Sequence, residues 1–384
     1  MKLTGKKELI EIIKKKIEEE GAISFKDFMD IALYYPDLGY YTSDKEKIGG
    51  FGDFFTSSEV DKAFGQLLAK QFAEIFYKIN PKEKFQIVEI GAGKGYLAYD
   101  ILQTLKTEYN EIYQKSEYIL IEKSKYHIKT QKELLKDFEI AKWVESLESF
   151  EDNSIEGVIF SNELFDAFSV HIVEKQNNIL YEIYISLKDD EVIEIKKEAS
   201  KKIIDYFKEL NVELPEGIRA EVNLIAKDFI QLIGRKLKKG FVITIDYGYP
   251  SNELYKEYRP RGTILCYHKH KYSENFYQNV GLQDITSHVN FSALKYFGEK
   301  AGLNFVAFTD QAHFLINLGI MDIIAQLQEN DDYKSYERIN RLKTLVLPGG
   351  MGEKFKILIQ AKNVADIDLE SVKILPYLSQ RYKI

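Results

Sequence analysis

The run I-V-E-I-G-A-G-K-G at residues 87–95 joins an apolar, β-rich stretch to three glycines at alternate positions, and an amphipathic stretch follows at once. A chain with this junction must pass from strand to helix within a few residues. Glycine supplies the backbone freedom for that turn and lets the chain approach a ligand with no Cβ in the way. The junction is the first of a series. Strands are expected at 85–90, 118–122, 139–144 and 157–161, separated by helix-like segments. Such alternation implies an α/β architecture with a parallel sheet wrapped by helices.

Residues 170–197 break that rhythm. They alternate apolar and polar, with Asn177-Asn178 and Asp189-Asp190 at turn positions, and predict antiparallel strands inserted beside the core. A helix over 218–239 is expected to lead into an apolar fifth core strand at 241–245, which ends at Asp246-Tyr247-Gly248. After a polar, aromatic segment (249–290) come an expected helix at 291–301, a strand at 305–308, a helix at 311–328 and a last strand at 355–361. No long helix is expected just before that strand, which suits an antiparallel finish. Residues 6–78 read as mostly helical, interrupted at 34–56 by a loop rich in Tyr, Phe and Gly. A loop of that length and composition is expected to be a lid or a substrate-facing segment. The 384 residues thus divide into an N-terminal helical and lid region (1–80) and an α/β core (81–384) with insertions at about 172–215 and 249–290.

Composition narrows the function classes. A net charge of −7 opposes broad affinity for nucleic-acid phosphates, which depends on clustered Lys and Arg. Cys266 is the single cysteine, so neither an internal disulfide nor a cysteine-based metal cluster can form. The first twenty residues set Leu9, Ile10, Ile12, Ile13 and Ile17 among Lys and Glu, an amphipathic helix rather than a signal peptide, and no apolar run reaches the roughly 18 residues that span a bilayer. A soluble protein of a reducing cytoplasm, without direct membrane insertion, is the expectation.

The chemistry is expected at the carboxyl ends of the strands. A dinucleotide fingerprint would need glycine where Tyr96 stands, and the G-K-[ST] ending of a phosphate-binding loop is missing. Glu89, two places before Gly91, would repel a pyrophosphate and suits a cofactor with a cationic end, as S-adenosylmethionine has. Glu122, closing the second strand, can accept both hydroxyl hydrogens of a ribose. Trp143, the single tryptophan, ends the third strand, either beside adenine or as core. The candidate cofactor residues on this reading are Glu89, Gly91, Gly93, Gly95, Glu122, Trp143 and Asn162.

The fourth strand delivers S-N-E-L-F-D-A-F (161–168) to the same edge. Asn162 and Glu163 either cap a following helix or serve the acceptor, and Glu163 and Asp166, three apart, would share a helix face beside the methyl donor. Asn162, Glu163 and Asp166 are the candidate catalytic residues. His268, His270 and His288 lie near Asp284 but match no zinc spacing, and no metal is expected.

Taken together, F-M-D-I-A-L-Y-Y-P-D-L-G-Y-Y (28–41), G-D-F-F-T-S-S-E (52–59), E-I-G-A-G-K-G-Y-L-A-Y-D (89–100) and N-E-L-F-D-A-F-S-V-H (162–171) resemble the MidA-like class I methyltransferases. So do I-D-Y-G (245–248), R-G-T-I-L-C-Y-H-K-H (261–270), D-I-T-S-H-V-N-F (284–291) and M-G-E-K-F (351–355), so that the resemblance covers nearly the whole chain. Ser169 stands where the family usually has proline, and Asn290 where it has aspartate. The resemblance implies a doubly wound, seven-stranded Rossmann-like sheet, S-adenosyl-L-methionine as cofactor, and a lid over it formed by 52–59 with Asp53 and Thr56. The family includes a mitochondrial complex I assembly factor that methylates a protein arginine, so a protein arginine in a complex I-like NADH dehydrogenase subunit is the implied acceptor. Expected partners are that protein substrate and no nucleic acid, with a homodimer left open. A non-catalytic cofactor-binding assembly factor and an NAD-dependent oxidoreductase remain as alternatives.

Overall fold

The computed structural model describes residues 1–43, 60–269, 271–330 and 332–373. They fall into two compact units, one drawn from the described residues within Met1–Phe55, Phe165–Phe229 and Tyr249–Leu294, the other from those within Thr56–Leu164, Ile230–Gly248 and Lys295–Ile384.

The second unit carries a mixed sheet whose strands are β1 (Phe85–Ile90), β2 (Ser116–Ile121), β3 (Ala141–Val144), β4 (Ile155–Asn162), β5 (Leu237–Tyr249), β6 (Asn304–Asp310) and β7 (Phe355–Lys362). They lie side by side in the order β6-β7-β5-β4-β1-β2-β3. Neighbours from β5 to β3 are parallel, while β7 runs antiparallel to both β5 and β6. Strands β1, β4 and β5 are buried on both faces, which is why they read as continuous apolar runs. Phe85, Ile87, Tyr118, Val158, Phe160, Phe241 and Ile243 share one apolar cluster with the helices Ala63–Ile79 and Tyr96–Glu108. The chain leaves β1 toward β2 and β3, then returns to place β4 and β5 on the other side. The carboxyl ends of β1 and β4 therefore flank a point where strand order reverses, the place where open α/β sheets bind ligands.

Two differences from expectation concern the end of this unit. The helix expected at 311–328 is two helices, Gln311–Leu318 and Ile320–Gln328, separated by Gly319 at φ +105°, a left-handed conformation that interrupts a right-handed helix. A further helix, Tyr333–Val346, precedes β7 where none was expected. Its buried stripe (Ser335, Ile339, Leu342, Leu345) is narrow on an otherwise polar helix, and ion pairing helps to seat it: Arg338 donates from Nε and Nη2 to buried Asp61 at 3.0–3.2 Å. The finish is antiparallel, but not because the connection is short.

The first unit gathers the N-terminal helices Lys7–Glu20 and Phe25–Tyr34 with both inserted segments. Leu9, Ile13, Phe25, Phe28, Val170, Ile183, Cys266 and Ile285 form one core. Strands His171–Gln176, Ile179–Lys188 and Glu191–Glu198 are antiparallel, and the turns between them place Asn177, Asn178, Asp189 and Asp190 all at positive φ. Two such residues in succession match the twist of a tight hairpin, which is what the Asn-Asn and Asp-Asp pairs predicted. The helix expected over 218–239 begins later. Arg219–Val222 is a strand on His171–Glu174, and the helix runs Leu224–Lys236 with Asn223 accepting from the Ala226 N–H at 2.8 Å. Asn290 is fully engaged: Oδ1 accepts from Ser251 Oγ (2.9 Å) and the Ala293 N–H (3.1 Å), and Nδ2 donates to the Tyr206 and Tyr255 hydroxyls (3.2 Å each). It caps the helix Phe291–Lys300 and satisfies two buried tyrosines.

Candidate cofactor site

The loop between β1 and the helix Tyr96–Glu108 has Gly91, Gly93 and Gly95 at φ +75°, +54° and +85°. A Cβ at Gly91 would stand 3.0 Å from Leu164 Cδ1, and one at Gly95 would stand 3.0 Å from Gln131 Cγ. Neither position admits a larger residue without strain, so the loop lies close to its surroundings with its backbone free of side chains. Gly91 N–H donates to Ile121 O (2.9 Å) and Gly95 N–H to Ala92 O (2.9 Å).

Glu89 sits in β1, 3% exposed, and the Tyr118 hydroxyl donates to its Oε2 at 2.6 Å. Burial lifts its carboxyl from the ordinary 4.5 to about 7, opposed by the tyrosine hydrogen bond and reinforced by the negative charge of Glu122. A buried carboxyl held up in this way, with a second carboxylate near it, is a receptive surrounding for a cation. Glu122 follows β2 directly. Its Oε1 accepts from the N–H groups of Lys123 (2.8 Å) and Ser124 (2.9 Å), and Oε2 lies 3.6 Å from His127 Nδ1. Trp143, in β3, donates its indole N–H to Gln131 Oε1 at 2.9 Å, with the Lys132 ammonium 5.7 Å from the ring centroid.

At the end of β4, Asn162 donates from Nδ2 to Glu163 Oε1 (3.1 Å), while its buried Oδ1 has no hydrogen-bond partner among the described residues. A buried acceptor left open at the reversal point fits a ligand that brings hydrogen-bond donors, such as the ammonium of an amino-acid moiety. No helix follows, contrary to expectation. Glu163 has φ +54°, which cannot begin a right-handed helix, and the donors of what would be the first turn are already used: Glu163 N–H by Ile245 O (2.9 Å) and Leu164 N–H by Asp246 Oδ2 (3.2 Å). Glu163 and Asp166 therefore share no helix face, and they fall in different units. Asp246, completely buried at the end of β5, is a residue that sequence reasoning left without a role. Its position in D-Y-G after an apolar strand was the available signal.

In the first unit Asp166 is 5% exposed, and its carbonyl accepts from Ser287 N–H at 3.0 Å. Nearby, the Tyr41 hydroxyl donates to Asp284 at 2.7–2.8 Å, and Tyr34 stacks on Tyr41 with centroids 5.5 Å apart. Burial, and then the charges of Asp284, Tyr34 and Asp166, hold the Tyr41 hydroxyl well above its ordinary value. His268 Nδ1 is engaged by Leu282 O (2.7 Å), and His288, pushed down to about 4 by burial and by Arg259, packs against Tyr249. Asp53, Thr56, His270 and the expected lid at 52–59 lie outside the described residues.

Residues 67–309 match the model of a family described as "Putative S-adenosyl-L-methionine-dependent methyltransferase". The chain is 26% identical to a mitochondrial protein arginine methyltransferase NDUFAF7 homologue of Caenorhabditis elegans, over 89% of this chain and 83% of that one. It is 25% identical to the NDUFAF7 protein arginine methyltransferase of Danio rerio, over 91% and 86%. Among solved structures, a candidate methyl transferase from Burkholderia thailandensis bound to S-adenosyl-homocysteine superposes with a TM-score of 0.86 and 28% identity, covering 95% of this chain and 94% of that one. The cytoplasmic location expected from composition is overturned, since these eukaryotic relatives are named as mitochondrial proteins. A lone cysteine and the amphipathic pattern of the first twenty residues are too local a signal to fix a compartment. An α/β chain with a glycine cradle at the reversal of strand order, matched over most of its length in this way, belongs to the S-adenosyl-L-methionine-dependent methyltransferase family, and its cofactor is S-adenosyl-L-methionine.

Proposed function

We propose that the chain methylates a protein arginine, in a subunit of a complex I-like respiratory enzyme. The observation that carries the transferase part is the open acceptor of Asn162 beside the glycine loop, with Glu89 and Glu122 on the neighbouring strand ends. The strand order supports reading the sheet as the doubly wound class I layout. The names of the relatives support arginine and the respiratory partner.

The bound cofactor supplies an electrophilic methyl group on a sulfonium. Around it, Gly91, Gly93 and Gly95 give close backbone approach, Asn162 Oδ1 accepts from the amino-acid end, and Glu122 Oε2 takes ribose hydroxyls. A guanidinium is protonated at any physiological pH, so a carboxylate has to orient its nitrogen and draw off a proton as the new bond forms. Glu163, held by the Asn162 amide, takes that role.

Calorimetry with S-adenosylmethionine, S-adenosyl-homocysteine and NAD, on wild type and Glu122→Ala, tests the site. Binding of the two sulfur cofactors, weakened about tenfold or more by the substitution, is expected; binding of NAD alone would sink the assignment. Amino-acid analysis of a methyl-depleted extract treated with enzyme and cofactor should then yield methylarginine. Label in lysine or in small molecules would refute the arginine acceptor, and tight cofactor binding without any transfer would favour a non-catalytic assembly factor.

A further inference from the structure

We infer, on the methyltransferase reading of the glycine loop, that Gln131 is a positioning residue that sets the shape of that loop, with Trp143 fixing the glutamine in turn.

Gln131 lies in the helix Lys125–Leu134 and is completely buried. Both ends of its amide are committed: Nε2 donates to Gly93 O at 2.7 Å, and Oε1 accepts from Trp143 Nε1 at 2.9 Å. An indole can only donate and a carbonyl can only accept, so these two partners allow one orientation of the amide, and a flip would lose both bonds. The aliphatic part of the same side chain fills the space where Gly95 lacks a Cβ. One side chain thus grips two of the three glycines, the first through a hydrogen bond and the second by contact.

The consequence for the cofactor follows from the peptide geometry. In a planar trans peptide the carbonyl and the next N–H point in opposite directions. Holding Gly93 O toward Gln131 therefore turns the Lys94 N–H the other way and fixes the plane of that peptide in the loop. With φ of +54° and +85°, Gly93 and Gly95 have little intrinsic preference for this shape, because glycine populates many alternatives. The glutamine supplies the preference, and the loop meets its ligand already ordered, which lowers the cost of binding.

Trp143 is the single tryptophan of the chain, so indole emission reports on the surroundings of this position alone. The test is fluorescence and calorimetric titration of the full chain with S-adenosyl-homocysteine, using wild type, Gln131→Met, Trp143→Phe and the double variant. Methionine keeps the volume and removes both hydrogen bonds. The expected result is a Kd about tenfold higher for Gln131→Met, the usual effect of one lost hydrogen bond in a site. Trp143→Phe should raise it less, and the double variant should be no worse than Gln131→Met, because the indole acts through the glutamine. In wild type, ligand binding should shift the Trp143 emission; in Gln131→Met the ligand-free emission should already differ and the shift at saturation should disappear, a readout that a simple packing role would leave unmoved. A Kd within twofold of wild type for Gln131→Met, or additive effects in the double variant, would overturn the inference. Should Gln131→Met fail to fold, Trp143→Phe decides alone: unchanged affinity refutes it. A wild-type chain that binds no S-adenosyl-homocysteine removes the reading of the site itself, and that outcome is distinguishable because it is seen before any variant is compared.

Discussion

Replacing Glu89 by glutamine should stabilise the protein at alkaline pH while damaging cofactor binding. The Glu89 carboxyl is buried in the strand that leads into the glycine loop, and burial lifts it from 4.5 to about 7 despite the Tyr118 hydrogen bond. Ionising it in the folded protein at pH 8 costs about 3 kcal/mol relative to the unfolded chain. Its folded value is raised, so the stabilising state is the protonated one: the contribution is complete below about pH 4.5 and is lost as pH climbs through about 7. Glutamine carries no charge and keeps an oxygen that can accept from Tyr118. The stability of Glu89→Gln relative to wild type should therefore rise by about 3 kcal/mol between pH 4.5 and pH 8. For a chain of this length that corresponds to a relative gain of about 4 °C in thermal midpoint. Differential scanning calorimetry of both proteins at a series of pH values measures it. If Glu89 receives the cationic cofactor as proposed, affinity for S-adenosylmethionine should fall at least tenfold in the variant, and in wild type should decline as pH drops below about 7, when the carboxyl takes up its proton. A midpoint difference that stays flat with pH, or that favours wild type at pH 8, would refute the account of Glu89 as a strained carboxylate kept for its ligand.

Gly95→Ala forces a Cβ into a left-handed backbone and against Gln131, so it should cost about 2–3 kcal/mol and weaken S-adenosyl-homocysteine binding, as measured by urea denaturation and calorimetry. Asp246→Ala leaves the half-buried Leu164 and Tyr247 N–H groups without their acceptor. It should cost about 2–4 kcal/mol and reduce methyl transfer through displacement of Glu163; a variant with wild-type turnover would show that the β4–β5 clasp does not place that carboxylate.

Where local pattern and final structure agree, the reason is that both depend on a short window of chain. Strands β1 and β4 are buried on both faces and read as apolar runs, the positive φ of the glycine loop is available to few residues besides glycine, and the Asn-Asn and Asp-Asp pairs tolerate the hairpin turns they form. Disagreement appears where distant residues decide. Residues 219–222 joined a strand ladder because His171–Glu174 offered one, and 333–346 became a helix with a narrow apolar stripe because Asp61 and a packed core received it. After β4 the backbone donors went to Ile245 and Asp246 instead of to a helix.

The sequence by itself determined the α/β alternation, the position of the glycine loop and the acids at the strand ends, since periodicity, glycine spacing and charge are properties of the chain alone. Only the tertiary structure decided what those acids and glycines touch. Tyr118 reaches Glu89 across 29 residues, Gln131 reaches Gly93 across 38 and Leu164 reaches Asp246 across 82. Such pairings follow from sheet order and register, because hydrogen bonds act over about 3 Å in space whatever the separation along the chain.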